Sequence, residues 1–162
     1  MTDLLNPLPV LVVSSRQEDH VLFKVFLSGA GYALHHALTL AEALTALDRH
    51  PVRVIVTERT LSDGSWVDVR PPLGSAPEPP LVIVFSDPED AASWAHAFNV
   101  GAFDVLCRPL VEKIVEGSVT LANLRWSRSA ERHSARSENP LATPLPRKLS
   151  GKAKAKTRST AA

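Results

Sequence analysis

The chain carries a single cysteine, Cys107, in 162 residues. A lone thiol cannot close an internal disulfide or form a cysteine-rich zinc site, so a reducing, cytoplasmic setting is expected. The six histidines are scattered along the chain, and no metal site is expected from them. No apolar run approaches the ~18–20 residues that cross a bilayer, so no membrane partner is expected either. The opening stretch MTDLLNPLP lacks the basic start and long apolar segment of a secretory signal. Neither GxGxxG nor GxxxxGK[ST] occurs, and no nucleophile–base pair is evident, so the chain reads as a non-enzyme with no catalytic residue.

Charge is present but unevenly placed. The formal net charge is +1. Residues 139–162 hold six cations (Arg147, Lys148, Lys152, Lys154, Lys156, Arg158) and no acid. The remaining 138 residues hold all 17 acids against 12 cations, which makes them −5 beside a +6 tail. The sequence from 136 to 162 is polar, proline-bearing and basic, which predicts a disordered tail.

Strand and helix signals alternate in the rest of the chain. Val10–Val13 is a short apolar run of the type found in buried parallel strands. Ser15-Arg16-Gln17-Glu18 has the form of a capping box, and Val21, Leu22, Val25 and Phe26 follow at helical spacing. Tyr32–His36 is a weaker strand, and His35 and His36 have no evident partner. Thr39–Glu42 is a second capping box, opening a helix with Ala43, Leu44 and Leu47 on one side. Val52–Val56 forms a third strand, and Asp63-Gly64 after it is a turn signature. Residues 71–80, PPLGSAPEPP, can only be loop, and Leu81–Phe85 is the most apolar strand. Asp87-Pro88 reads as an N-cap with proline at the first helical position, before a helix through Trp94 and Phe98. A fifth strand, Phe103–Cys107, leads to Arg108-Pro109 and a last helix from about Leu110 to His133. Cys107, inside that strand, reads as a small buried hydrophobe.

Such alternation predicts one α/β domain over residues 8–133, a parallel sheet covered by helices on both faces. The functional crevice of such a sheet lies beyond the carboxyl ends of its strands. The residues there are Ser14 and Ser15, Thr57 and Glu58, Ser86 and Asp87, and Arg108 and Pro109. Thr57, next to Glu58, falls on the opposite side of the pleat and should be buried. Glu18 and Asp19 are acids of a first helical turn, where the helix dipole accounts for them.

Five βα units, an acid ending strand three with "DG" soon after, a serine ending strand four and a basic-proline pair ending strand five resemble the receiver domain of bacterial response regulators. The resemblance covers about residues 8–130 and implies a flavodoxin-like fold with strand order 2-1-3-4-5. In active members of that family, an aspartate ending strand three accepts a phosphoryl group and two acids ending strand one help to hold Mg²⁺. A Ser/Thr and a Lys, after strands four and five, contact the phosphoryl oxygens. The resemblance puts Glu58 at the acceptor position, Ser14 and Ser15 at the acidic pair, Ser86 at the hydroxyl and Arg108 at the lysine. Pro109 follows Arg108, with a peptide bond that is often cis in the family, and Val105 stands at the aromatic switch position.

These departures predict altered chemistry. Mg²⁺ requires oxygen ligands that usually include carboxylates, and two serines leave Glu58 as the expected sole carboxylate of the pocket floor. No Mg²⁺ or other cofactor is therefore expected. The added methylene of Glu58 moves its oxygens by roughly 1.5 Å, a shift that positioned chemistry tolerates poorly. A planar guanidinium suits a carboxylate better than an ammonium does, so a Glu58–Arg108 pair near Ser86 is expected to fix one state. Trp94 and Trp126, on the fourth and fifth helices, are candidates for a protein-partner or homodimer surface. The resulting expectation is a stand-alone, degenerate receiver-like domain working as a phosphorylation-independent interaction module in phosphorelay signalling. The competing one is a nucleic-acid-associated accessory protein that binds through its basic tail.

Overall fold

The computed structural model describes residues 6–72 and 74–138. In chain order its elements are β1 (Leu8–Val13), α1 (Gln17–Leu27), β2 (Tyr32–Ala37), α2 (Leu40–Arg49) and β3 (Val54–Glu58). Then come β4 (Thr60–Leu61), β5 (Gly64–Ser65), α3 (Trp66–Val69), β6 (Leu81–Ser86), a 3₁₀ segment Pro88–Ser93, α4 (Trp94–Val100), β7 (Asp104–Cys107) and α5 (Glu112–Glu138). The five longer strands form one parallel sheet in the order β2-β1-β3-β6-β7. Numbered among themselves, these strands run 2-1-3-4-5, the flavodoxin-like order.

The pleat sorts the strand residues into two core layers. Leu11, Val13, Ile55, Val82 and Val84 face Ala43, Trp66, Val69 and Ala97 of α2, α3 and α4. Val10, Val12, Val54, Val56, Ile83 and Phe85 face Phe23, Leu27, Val115, Val119 and Ala122 of α1 and α5. Period-two alternation in strands buried on both sides gives this division. Phe23 and Phe85 mark the centre of the second layer, their ring centroids 5.2 Å apart.

Several local expectations need correction. Helix α1 turns Phe23 and Leu27 inward and leaves Val21 and Val25 outside, at 63% and 61% exposure. The inward stripe begins at Asp19 and continues at i+4 and i+8, so an acid leads the buried face. Ser15 is not a capping residue: the N-cap is Arg16, which makes no side-chain cap bond. The segment after Asp87 begins as 3₁₀ before α4. Helix α5 runs to Glu138, past the expected end near His133, so residues 136–138 of the expected tail are helical. The remainder of that tail, 139–162, lies outside the described residues.

The turn signature forms a short antiparallel hairpin, β4 with β5. Asp63 does more than turn the chain. Its carboxylate accepts from the Leu40 and Ala41 amides at 2.7 and 3.1 Å, capping α2 beside Thr39, whose Oγ1 accepts from the Glu42 amide. Those amides, Leu40's first, hold the Asp63 carboxyl below its ordinary value of 3.8. Gly64 is needed next to it, because a Cβ there would lie 2.6 Å from Leu40 Cδ2 and 3.1 Å from Asp68 Oδ2. Gly64→Ala is expected to destabilise the domain by about 1–3 kcal/mol through overpacking. A urea unfolding curve measures this; an unchanged midpoint would show that Leu40 yields without cost.

Candidate functional site

Each strand of the sheet except the edge strand β2 delivers a polar side chain to the carboxyl end. β1 leads into Ser14, Ser15 and Arg16; β3 ends at Glu58; β6 ends at Ser86 before Asp87; β7 leads into Arg108. The first turn of α1 adds Asp19, which is only 2% exposed. Arg108 precedes the cis peptide bond to Pro109.

Glu58 is held from two sides. Its Oε2 accepts from Ser15 Oγ at 2.9 Å, the Ser15 amide at 3.2 Å and Ser14 Oγ at 3.2 Å. Its Oε1 faces Arg108 Nη2 at 3.3 Å and Arg16 Nε at 3.8 Å. Ser15 thus serves Glu58 and not the helix end. The Ser14 hydroxyl also donates to Asp19 Oδ2 at 2.6 Å and accepts from the Arg16 amide.

The main partner of Arg108 is Asp19, not Glu58. Nη1 donates to Asp19 Oδ1 and Nη2 to Oδ2 at 2.8 Å, a two-pronged contact that matches the planar fork to the carboxylate. Nη2 then reaches Glu58 as a second acceptor. Arg108 Nε lies 3.2 Å from Asp87 Oδ1, close enough for ionic attraction though out of line for a hydrogen bond. Arg16 Nη2 closes the ring at 3.7 Å from the other Asp87 oxygen. Asp87 therefore turns its side chain into the pocket, and only its carbonyl accepts from the Asp90 amide at the start of the 3₁₀ turn. The Phe85 ring carries the guanidinium 5.0 Å from its centroid.

Two arginines and three carboxylates are thus interlocked. Burial opposes charge on Asp19, but hydrogen bonds from Arg108 and Ser14, together with the charges of Arg108 and Arg16, hold its carboxyl below the ordinary 3.8. The hydrogen bond to Asp19 raises the Arg108 pKa further above its already high value. Glu58 is not the sole carboxylate of the pocket floor: Asp19 reaches it from α1, a role unseen in sequence because its position was explained by the helix dipole. Its i, i+4, i+8 relation to Phe23 and Leu27 was the available signal.

The donor set fits a guanidinium better than a dication. Both inner carboxylates, Asp19 and Glu58, already contact Arg108. No cluster of three or more His, Cys, Asp or Glu suited to a metal occurs among the described residues. Ser86 Oγ is buried, takes no part in the network and makes no hydrogen bond. It lines a cavity of about 20 Å³ together with Trp66, Trp94 and Val105. Thr57 is fully buried, as expected, and donates to the Glu58 carbonyl. Cys107 is half-buried, its thiol against the Arg108 carbonyl.

Other candidates settle elsewhere. His36 and His20 meet Nδ1 to Nδ1 at 2.9 Å, and His20 Nε2 donates to the Ser14 carbonyl at 2.8 Å. His35 stacks on His50 with centroids 4.1 Å apart. Burial, then the neighbouring imidazole, lowers the pKa of His35 and of His36. Trp94 and Trp126 are both half-buried. Trp126 lies under the Arg53 guanidinium at 4.7 Å and lines a cavity at the amino ends of the strands.

Solved structures superpose on this architecture. A response regulator receiver domain protein from Clostridium thermocellum superposes with a TM-score of 0.65 at 21% identity, over 73% of this chain and 95% of that one. The fold is that of a receiver domain. The signal receiver domain of an HD domain-containing protein from Pseudomonas fluorescens matches at a TM-score of 0.70 and 20% identity, over 82% and 98% of the two chains. A two-component response regulator from Clostridium difficile gives 0.63 at 22%, over 73% and 96%. No family model matches the sequence, and no curated protein does.

Asp19→Asn removes a buried charge opposite Arg108 and is expected to cost about 3 kcal/mol, the scale of breaking a buried pair. The wild-type contribution has a defined pH window. A carboxyl whose folded pKa lies below its unfolded value stabilises fully above the unfolded value and loses that contribution as pH falls through the folded one. Chemical denaturation from pH 7 to pH 2 should show wild type and Asp19→Asn converging below about pH 4. Parallel curves would show that Arg108 draws nothing from Asp19.

Proposed function

We propose that the chain is a degenerate receiver-like domain that works as a phosphorylation-independent interaction module in two-component signalling. One observation carries the reading: the Arg108 guanidinium grips Asp19 and Glu58 together, where an active receiver needs a free acceptor and a metal-binding acidic pair. A fixed internal cation in contact with both carboxylates opposes entry of a second, divalent one by like-charge repulsion. Without such an ion, the charge of a transferring phosphoryl group is poorly neutralised. The Ser15 hydroxyl and amide also donate to Glu58 Oε2, which weakens it as a nucleophile.

A module of this kind signals by its presence and its surface. The exposed apolar side chains of α4 and α5 are Phe98, Ile114, Leu121 and Leu124, at 48–62% exposure. Isolated exposed hydrophobes are ordinary; Ile114, Leu121 and Leu124 along one face of α5 fit another signalling protein or a second copy of this chain.

Incubation with acetyl phosphate or phosphoramidate and millimolar Mg²⁺ is expected to leave the intact mass unchanged. A phosphoryl adduct on Glu58 or a neighbour would overturn the reading. The quadruple variant Ser14→Asp, Ser15→Asp, Glu58→Asp, Arg108→Lys is expected to bind Mg²⁺, read by tryptophan fluorescence, where wild type gives no response. An equal response from wild type would also count against it.

A further inference from the structure

The C-terminal half of α5 carries Arg125, Arg128, Arg132 and Arg136, all exposed. Their spacing of three, four and four residues puts them on one stripe, about 80° wide at 3.6 residues per turn. At ~1.5 Å per residue the stripe is about 16 Å long. Glu131 and Glu138, the acids of this segment, flank the stripe on one side, about 100° and 120° from its centre. The ion pairs among the described residues involve Arg16, Arg59, Arg108 and His133, and none of these four arginines. His133, beside the stripe, ties the helix to the proline-rich loop through Glu78 at 3.0 Å. Glu131 stands at i+3 from Arg128, yet no ion pair joins it to the stripe among the described residues, and Arg125, Arg132 and Arg136 have no acid at i+3 or i+4.

We infer that this stripe is a binding surface for the phosphate backbone of a nucleic acid, read without base specificity. Guanidinium groups suit phosphate oxygens in geometry and hydration. A duplex presents one negative charge per ~1.7 Å of axis, so a stripe of this length meets a dense row of phosphates. An anionic membrane fits less well, because from Arg125 onward the helix carries no large aliphatic side chain on the stripe to enter the acyl region. Six further cations without an acid follow in the sequence from 139 to 162 and add charge of the same sign. The contact proposed here nevertheless lies on the folded helix, and it does not depend on the signalling role of the strand-end site.

The test is fluorescence anisotropy of the full chain with a labelled random-sequence duplex, across about 50–200 mM salt, where phosphate contacts weaken steeply. Wild type should bind with a log–log salt slope that the variant Arg125→Gln, Arg128→Gln, Arg132→Gln, Arg136→Gln lowers in magnitude by about three to four, near 0.9 per lost contact. The four-lysine variant should keep most of that slope, and circular dichroism should show α5 intact in both. No binding at the lowest salt, or an unchanged slope in the glutamine variant, overturns the inference. Equal or tighter binding of a polyglutamate chain that depends on the same arginines overturns it in favour of an acidic protein partner.

Discussion

The contact between Arg108 and Asp19 governs the carboxyl end of the sheet. A guanidinium 15% exposed and a carboxylate 2% exposed can stay charged there only because each satisfies the other. Once that pair is fixed, the orientation of the neighbours follows. Ser14 must donate to Asp19, Glu58 takes the remaining face of Arg108, and the Ser15 hydroxyl turns to Glu58 at the expense of the helix cap. Asp87 and Arg16 close the mouth of the same ring. The pocket is therefore a single electrostatic unit contributed by the ends of β1, β3, β6 and β7, not a set of independent side chains.

How far the sequence revealed this depends on the range of the interaction. A parallel sheet covered on both faces and the placing of Glu58, Ser86 and Arg108 at one end follow from apolar periodicity and from the rule for open α/β sheets, whereas the strand order came from the resemblance to receiver domains. Their signals are local and repeated. Asp19 was hidden because a first-turn acid already has a sufficient local explanation, and its true partner lies 89 residues away. Ser15 and Asp87 were misread for the same reason: each fits a capping rule, and tertiary charge prevailed over it. His36 had no visible partner because His20 comes from a different element and meets it only in the folded state. Of the arginine stripe on α5, only Arg136 lies past the expected helix end; the other three fall inside it and were passed over beside the more basic tail.

The two ends of the domain serve different physical purposes. At the carboxyl end charges are buried, matched and immobile, which gives a fixed shape. Along the outer half of α5 they are exposed and unmatched, which gives a long-range field and fast encounter with polyanions. The domain thus separates a matched set of charges at the strand ends from an unpaired set along α5.

The interlocked ring also has an evolutionary consequence. Reaching a phosphate-accepting pocket from this one needs changes at Ser14, Ser15, Glu58 and Arg108, and no single step is comfortable. Changing Arg108 first strands Asp19 without its fork; adding an acid at Ser14 first sets a third carboxylate beside two that share one guanidinium. Both of these first steps cost stability, and the cost comes from the shared guanidinium. A lineage that acquired it would keep the receiver backbone and lose ready access to the chemistry for which that backbone is known.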